Sequence, residues 1–130
     1  MQASILLPTF NRQKYLKRCV ESIQKHTAED YEIVFINNGT TKGGLKWLQS
    51  FIRKTTNCRM PDIRGTGFAD HVSQGLQNSC GDYIVLLHND VIVTGQWLDR
   101  ILDLLMTRSD IGCVGPMSNN VDGIQEIGHT

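Results

Sequence analysis

The chain has 130 residues, 40% of them hydrophobic, with 13 basic and 13 acidic side chains in balance, enough for one domain around one core and too few for a comfortable second. That balance argues against the basic footprint of a nucleic-acid binder and against an acidic tail, and no stretch approaches the roughly 20 apolar residues of a membrane span. Four cysteines, Cys19, Cys58, Cys80 and Cys113, lie far apart with no C-x-x-C pair, which argues against a zinc site and predicts buried, reduced thiols in a cytoplasmic protein.

The apolar run Ser4-Ile5-Leu6-Leu7 reads as a buried first strand that stops at Pro8. Tyr15, Leu16, Cys19, Val20 and Ile23 then recur at helical spacing, with Lys14, Lys17, Arg18 and Glu21 on the opposite side. Tyr31 to Ile36 reads as a second strand, ended by the turn signal Asn37-Asn38-Gly39. Leu45, Leu48, Phe51 and Ile52 mark a second helix with Trp47 near its edge. Cys58 to Ile63, interrupted by Pro61, reads as a short third strand at or near a sheet edge.

The glycine-rich segment Arg64 to Ala69 opens into a short helix around His71 to Asn78. Tyr83-Ile84-Val85-Leu86-Leu87 follows, a continuous apolar run that suits a strand covered on both faces. Trp97, Leu98, Ile101, Leu102, Leu104 and Leu105 give the strongest helical pattern, with Thr94 as its N-cap and Trp97 packing that helix. Ile111 to Met117 reads as a further strand and Ser118 to Thr130 as loop or frayed end. The alternation predicts an α/β fold, a Rossmann-like and mostly parallel sheet flanked by helices.

In such sheets ligands collect beyond the carboxyl ends of the strands. The strand ends Pro8-Thr9-Phe10-Asn11-Arg12, Asn37-Asn38-Gly39-Thr40 and His88-Asn89-Asp90 therefore predict a cleft along one sheet edge. Asp90 suits a turn-former and a ligand of a hard divalent cation equally well. His88, two residues earlier, reads more readily as a partly buried imidazole bonded to backbone than as a ligand. The Gly65-Thr66-Gly67 loop reads as a tight connection before an anion cradle, because neither the dinucleotide fingerprint nor the phosphate-loop signature is present. No G-x-S-x-G elbow offers a nucleophilic serine.

Taken jointly, several segments are similar to one family: Ser4 to Arg12, Tyr31-Glu32-Ile33-Val34 with Asn38-Gly39-Thr40, Gly67-Phe68-Ala69, Gly75-Leu76, Gly81 to Leu87, Asn89-Asp90-Val91, Trp97-Leu98, and Ile111-Gly112 with Val114-Gly115-Pro116. In that order and spacing the chain resembles the nucleotide-sugar-binding half of inverting family 2 glycosyltransferases, which have the GT-A fold. The resemblance implies a single domain over residues 1–130, truncated in the sense of lacking a recognisable acceptor-binding half. It implies a nucleotide-diphospho-sugar donor, a saccharide or other hydroxyl acceptor, and Mg2+ or Mn2+ held by Asp90, which matches the last carboxylate of a D-x-D motif.

It also implies that Pro8, Thr9, Asn11, Arg12, Asn37, Asn38, Gly67, His88 and Asn89 surround the donor. Asn37 stands where the family usually has an Asp that receives the base N–H, Lys42 replaces an acidic residue, Gly65 and Ser73 replace frequent Asn, and His88 replaces the first carboxylate. No catalytic base is assigned, since Glu126 has no motif around it, and a catalytically silent nucleotide-sugar-binding or partner-binding module is the alternative reading. Uncovered sheet edge predicts a homodimer, and peripheral contact with a membrane surface is compatible with the sequence.

Overall fold

The computed structural model describes residues 3–65 and 67–117. They form two compact units, divided between Thr94 and Gly95. The first holds β1 (Ala3–Thr9), α1 (Gln13–His26), β2 (Tyr31–Asn37), α2 (Lys42–Lys54), β3 (Cys58–Arg59), α3 (Phe68–Gln77) and β4 (Tyr83–Leu86). The strands lie in the order β3-β2-β1-β4, and each pairing is parallel. The chain thus builds outward from β1 through β2 to β3, then crosses to the other side of β1 for β4.

Burial follows from that order. Every residue of β1 is buried, as are Ile33, Val34, Phe35 and Ile36 of the neighbouring β2, and α1 sinks Leu16, Cys19, Val20 and Ile23 into the core. Phe51 of α2 meets Phe35 edge-on at 6.2 Å and stacks on Trp47 at 5.4 Å. The third strand is the short edge element that Pro61 predicts.

Several expectations change. Pro8 does not end the first strand, which continues to Thr9 and pairs Pro8 with Ile36. Leu87 N–H bonds the Leu6 carbonyl, so Pro8, two residues on, turns its missing donor toward the same side, where pairing with β4 has already ended at Leu86; proline is tolerated where no partner waits. β4 is not covered on both faces: as an edge strand it leaves Ile84 43% and Leu86 53% exposed. Tyr15 is exposed despite its place in the α1 stripe, lying beneath the Arg12 guanidinium at 5.8 Å. Cys80 and Cys113 are exposed rather than buried, although all four thiols are free.

The second unit contains α4 (Trp97–Thr107), with Leu98 and Leu102 buried. Its N-cap is Gln96, in the left-handed region at φ 61°, not Thr94. Ile111 to Met117 is irregular, not a strand; a strand needs a partner, and none of the described strands pairs with it. The expectation for Ser118 to Thr130 lies outside the described residues. No described helix is long and apolar enough to cross a membrane.

Candidate functional site

The point where strand order reverses, between β1 and β4, is where an open parallel sheet leaves a crevice at its carboxyl edge. A cleft of about 420 Å³ lies there, lined by Pro8, Phe10, Asn11, Arg12, Asn38, Phe68, His88, Asn89 and Asp90. Each of these residues lies at or just beyond the end of a strand, or opens the helix that follows. Another open depression, lined by Gln49, Ile52, Arg53 and Met60, has no comparable cluster of polar groups.

The floor of the cleft is fixed by bonds between strand ends. The Thr9 hydroxyl donates to the Ile36 carbonyl at 3.2 Å and lies 2.8 Å from the Thr40 hydroxyl. Asn37 Oδ1 accepts from the Thr40 amide at 3.1 Å, and the Asn38 amide donates to the Thr9 carbonyl at 2.9 Å. Thr9 and Asn37 therefore bond within the scaffold and do not line the cleft. Gly67, at φ 119°, caps α3 and sets Phe68 on the wall without lining it. Lys42, the exposed first residue of α2, is outside the lining as well.

α1 fastens the loop after β4 at two points. The Cys19 thiol donates to the His88 carbonyl at 3.8 Å. Ser22 Oγ accepts from the buried Val93 amide at 3.1 Å while donating to the Cys19 carbonyl at 2.7 Å. Burial, followed by the nearby Asp90 charge, pushes the Cys19 thiol up to about 12, so it is an inert anchor rather than a nucleophile.

Between these anchors His88 Nδ1 lies 2.7 Å from Asp90 Oδ1, with the side chains 69% and 43% exposed. An ionised carboxylate only accepts, so Nδ1 carries the hydrogen. The reading of His88 as a partly buried imidazole bonded to backbone is thereby corrected: its partner is a carboxylate at the mouth of the cleft. Asn89 between them is buried, and its Nδ2 has no hydrogen-bond partner among the described residues.

Arg12 brings a fixed positive charge to the cleft from a left-handed backbone conformation, φ 86°. Its carbonyl accepts from the Tyr15 and Leu16 amides, so the strained residue starts α1 and lines the cleft at once. Phe10 and Phe68, 56% and 51% exposed, are lining residues that sequence reasoning did not single out. The available signal was an aromatic side chain set in a polar, glycine-flanked loop, where no core needs it.

Among the described residues no three or more His, Cys, Asp and Glu side chains gather into a metal cluster. The cleft supplies two candidate donors, His88 and Asp90. Of these, the Asp90 carboxylate is the oxygen donor that fits a hard divalent cation whose shell is completed by phosphate oxygens and water.

A sequence model of glycosyl transferase family 2 matches residues 4–129. Chondroitin synthase of Escherichia coli is 27% identical over 119 residues, which are 92% of this chain and 17% of that protein. TarS 1-349 of S. aureus, solved in complex with UDP-GlcNAc, superposes with a TM-score of 0.66 at 19% identity, covering 82% of this chain and 32% of that one. The mannosyltransferase PcManGT of Pyrobaculum calidifontis, solved with GDP-Man and Mn2+, superposes with a TM-score of 0.71 at 14% identity, covering 80% and 32%. These likenesses show a GT-A type fold, and the chain spans well under half the length of each of these relatives.

Proposed function

This chain belongs to glycosyl transferase family 2, and from that premise we propose that its cleft binds a nucleotide-diphospho-sugar donor for inverting glycosyl transfer. The observation that carries the reading is the meeting of exposed aromatics, a fixed cation and a carboxylate in one cleft at the β1/β4 switch point. Phe10 and Phe68 offer faces on which a nucleobase stacks, a contact worth about 1–3 kcal/mol per base. Asn11 and Asn38 offer amides to base or ribose edges, and Arg12 offers a guanidinium to the diphosphate. The Asn89 amide nitrogen without a partner is an unmet donor that a ligand oxygen satisfies.

Asp90, beside His88, is the residue to hold Mg2+ or Mn2+. A cation there supplies Lewis-acid charge to the departing diphosphate. The complexes of TarS with UDP-GlcNAc and of PcManGT with GDP-Man and Mn2+ support both the ligand class and the cation. Inverting transfer further requires a base for the acceptor hydroxyl, and Asp90 is the one carboxylate among the described residues lining the cleft. That observation favours a second reading for the chain by itself, a module that binds donor without transferring its sugar.

Calorimetric titration with UDP-, GDP- and dTDP-sugars, with and without Mn2+, tests the proposal. Saturable binding of at least one donor, weakened by Asp90→Asn, is the expected result. Binding of none of them defeats the donor reading, and binding with no donor consumption on prolonged incubation with sugar acceptors favours the module.

A further inference from the structure

We propose that the outer face of helices α1 and α2 is a docking surface for an anionic lipid bilayer, to which the chain adsorbs by charge and from which salt releases it. This surface lies outside the cleft, and the inference holds whether or not the cleft binds a donor.

The balanced totals conceal a segregation of charge. Of the 13 Lys and Arg residues, four lie in α1 and four in α2, whereas the two helices together hold one acidic residue, Glu21. Both helices cover the same face of the sheet: Phe51 of α2 meets Phe35, and Lys17 of α1 lies over the Trp47 ring of α2 at 5.5 Å. α3 covers the opposite face, because its Gly75 abuts Ile36 and consecutive strand residues point to opposite sides. That helix carries Asp70 and no Lys or Arg. One side of the sheet is thus basic and the other is not.

The basic side chains stand in outward rows. Leu16, Cys19, Val20 and Ile23 turn α1 toward the core, and Lys14, Arg18 and Lys25 are exposed on its other side. Leu48 does the same for α2, leaving Lys46 and Arg53 exposed. Helices of 14 and 13 residues make rows about 20 Å long, side by side and about 10 Å apart, a platform that meets many headgroups at once.

Helix stability does not account for these charges. The helix dipole favours acidic residues in the first turn and basic ones in the last. α3 and α4 start accordingly, with Asp70 and Asp99. α1 and α2 have no acidic residue in the first turn and carry Lys14 and Lys42 there instead. Cations so placed act against the dipole, which a binding role explains and folding does not.

The make-up of the platform selects among anionic partners. Six of its eight cations are lysines, compact hydrated charges on flexible stems that follow a fluid surface, whereas arginine forks suit the fixed phosphates of a nucleic acid. A protein interface is depleted in lysine and anchored by large apolar or aromatic side chains. Among the described residues, Tyr15 is the one exposed large hydrophobic of α1 and α2, and it lies beneath the Arg12 guanidinium. With nothing apolar to insert, attachment is electrostatic, worth about fivefold in partition for each basic residue near the lipid surface. Arg12, the N-cap of α1, also lines the cleft, so adsorption brings the edge of the cleft to the margin of the membrane.

Sedimentation with vesicles tests the surface. Phosphatidylcholine vesicles containing about 30 mol% phosphatidylglycerol should bind the chain, and vesicles of phosphatidylcholine alone should not. Binding at about 0.1 M salt should be lost at about 1 M, where the Debye length falls to about 3 Å. Lys46→Gln should weaken it about fivefold, and Lys14→Gln, Arg18→Gln, Lys46→Gln and Arg53→Gln combined about a hundredfold or more. Arg64→Gln, which removes the same charge from the loop before α3, should change it less than about twofold. Thermal unfolding of the fourfold variant should not fall below that of the parent, because all four side chains are exposed. No binding to the anionic vesicles, equal binding to phosphatidylcholine alone, or an equal loss in Lys46→Gln and Arg64→Gln overturns the inference. Tighter binding to duplex DNA or heparin than to the vesicles also overturns it, and assigns the face to a soluble polyanion.

Discussion

Glu32 is a buried carboxylate in the middle of the sheet and is held by every kind of donor within reach. Ser4 Oγ donates to it at 2.6 Å, the Cys80 amide at 2.8 Å and Arg59 Nη2 at 3.0 Å, and Arg59 Nε lies 2.8 Å from its second oxygen. Burial alone pushes the carboxyl up, but these bonds and the Arg59 charge outweigh it and leave the group below its ordinary value of 4.5. A depressed carboxylate contributes stability that is full above its unfolded pKa and lost as pH falls through the folded one. Glu32→Gln is thus expected to cost about 2 kcal/mol near neutrality and to flatten the loss of stability below about pH 4.5, measured by urea unfolding across an acid series. At Arg12 the balance is reversed, since a non-glycine residue in the left-handed region carries strain. Arg12→Gly should hold or raise stability by about 0.5–1 kcal/mol while weakening UDP or GDP binding, as calorimetry and denaturation will show together. Residues such as Arg12 and Asp90 were legible because they follow strand ends. Phe10 and Phe68 were not, because the exposure that separates a cleft aromatic from a core one exists only after folding.

Helix α3 and strand β4 meet the rest of the sheet through two glycines. A Cβ on Gly75 would come within 2.6 Å of Ile36 Cδ1 and 3.1 Å of its Cγ1, whereas one on Gly81 would meet the Ser4 nitrogen at 2.5 Å and the Ala3 carbonyl carbon at 2.6 Å. A side-chain tip can rotate aside, and alanine also improves helix propensity, so Gly75→Ala should cost about 1–2 kcal/mol. The central strand cannot move, and Gly81→Ala should cost more, about 3 kcal/mol or above, seen as a lower urea midpoint for the second variant than for the first. Element type was readable from periodicity for α1, α2, β2 and α4. Boundaries were harder where a neighbour decides them: Pro8 continues β1 because pairing with β4 has ended by then, and Ile111 to Met117 has strand composition with no partner strand among the described residues. Exposure of Ile84 and Leu86 has the same origin, since an apolar run looks alike in central and edge strands.

At the scale of the molecule, the order of elements carried the prediction of a parallel α/β sheet, and the sheet order then located the cleft. What order could not supply was the pairing of His88 with Asp90, a contact made by loop geometry. Donor binding should be visible in global stability, because a ligand bound to the folded state alone at 100 times its dissociation constant adds about 2.7 kcal/mol. A UDP- or GDP-sugar with Mn2+ is expected to raise the melting temperature by several degrees, about 4 °C or more for a domain of this size, and Phe10→Ala should remove most of that rise without changing the ligand-free value. The central position of β1 has a further bearing on how the chain reaches this state. Its partner on one side begins at Tyr31 and on the other at Tyr83, so the β1–β2 pair closes a short loop and can form early, whereas the β1–β4 pair waits for a long one. The walls of the cleft come from both pairs. In refolding, and during synthesis from the amino terminus, ligand-binding competence should therefore appear late, after most of the helical content and core amide protection are already in place.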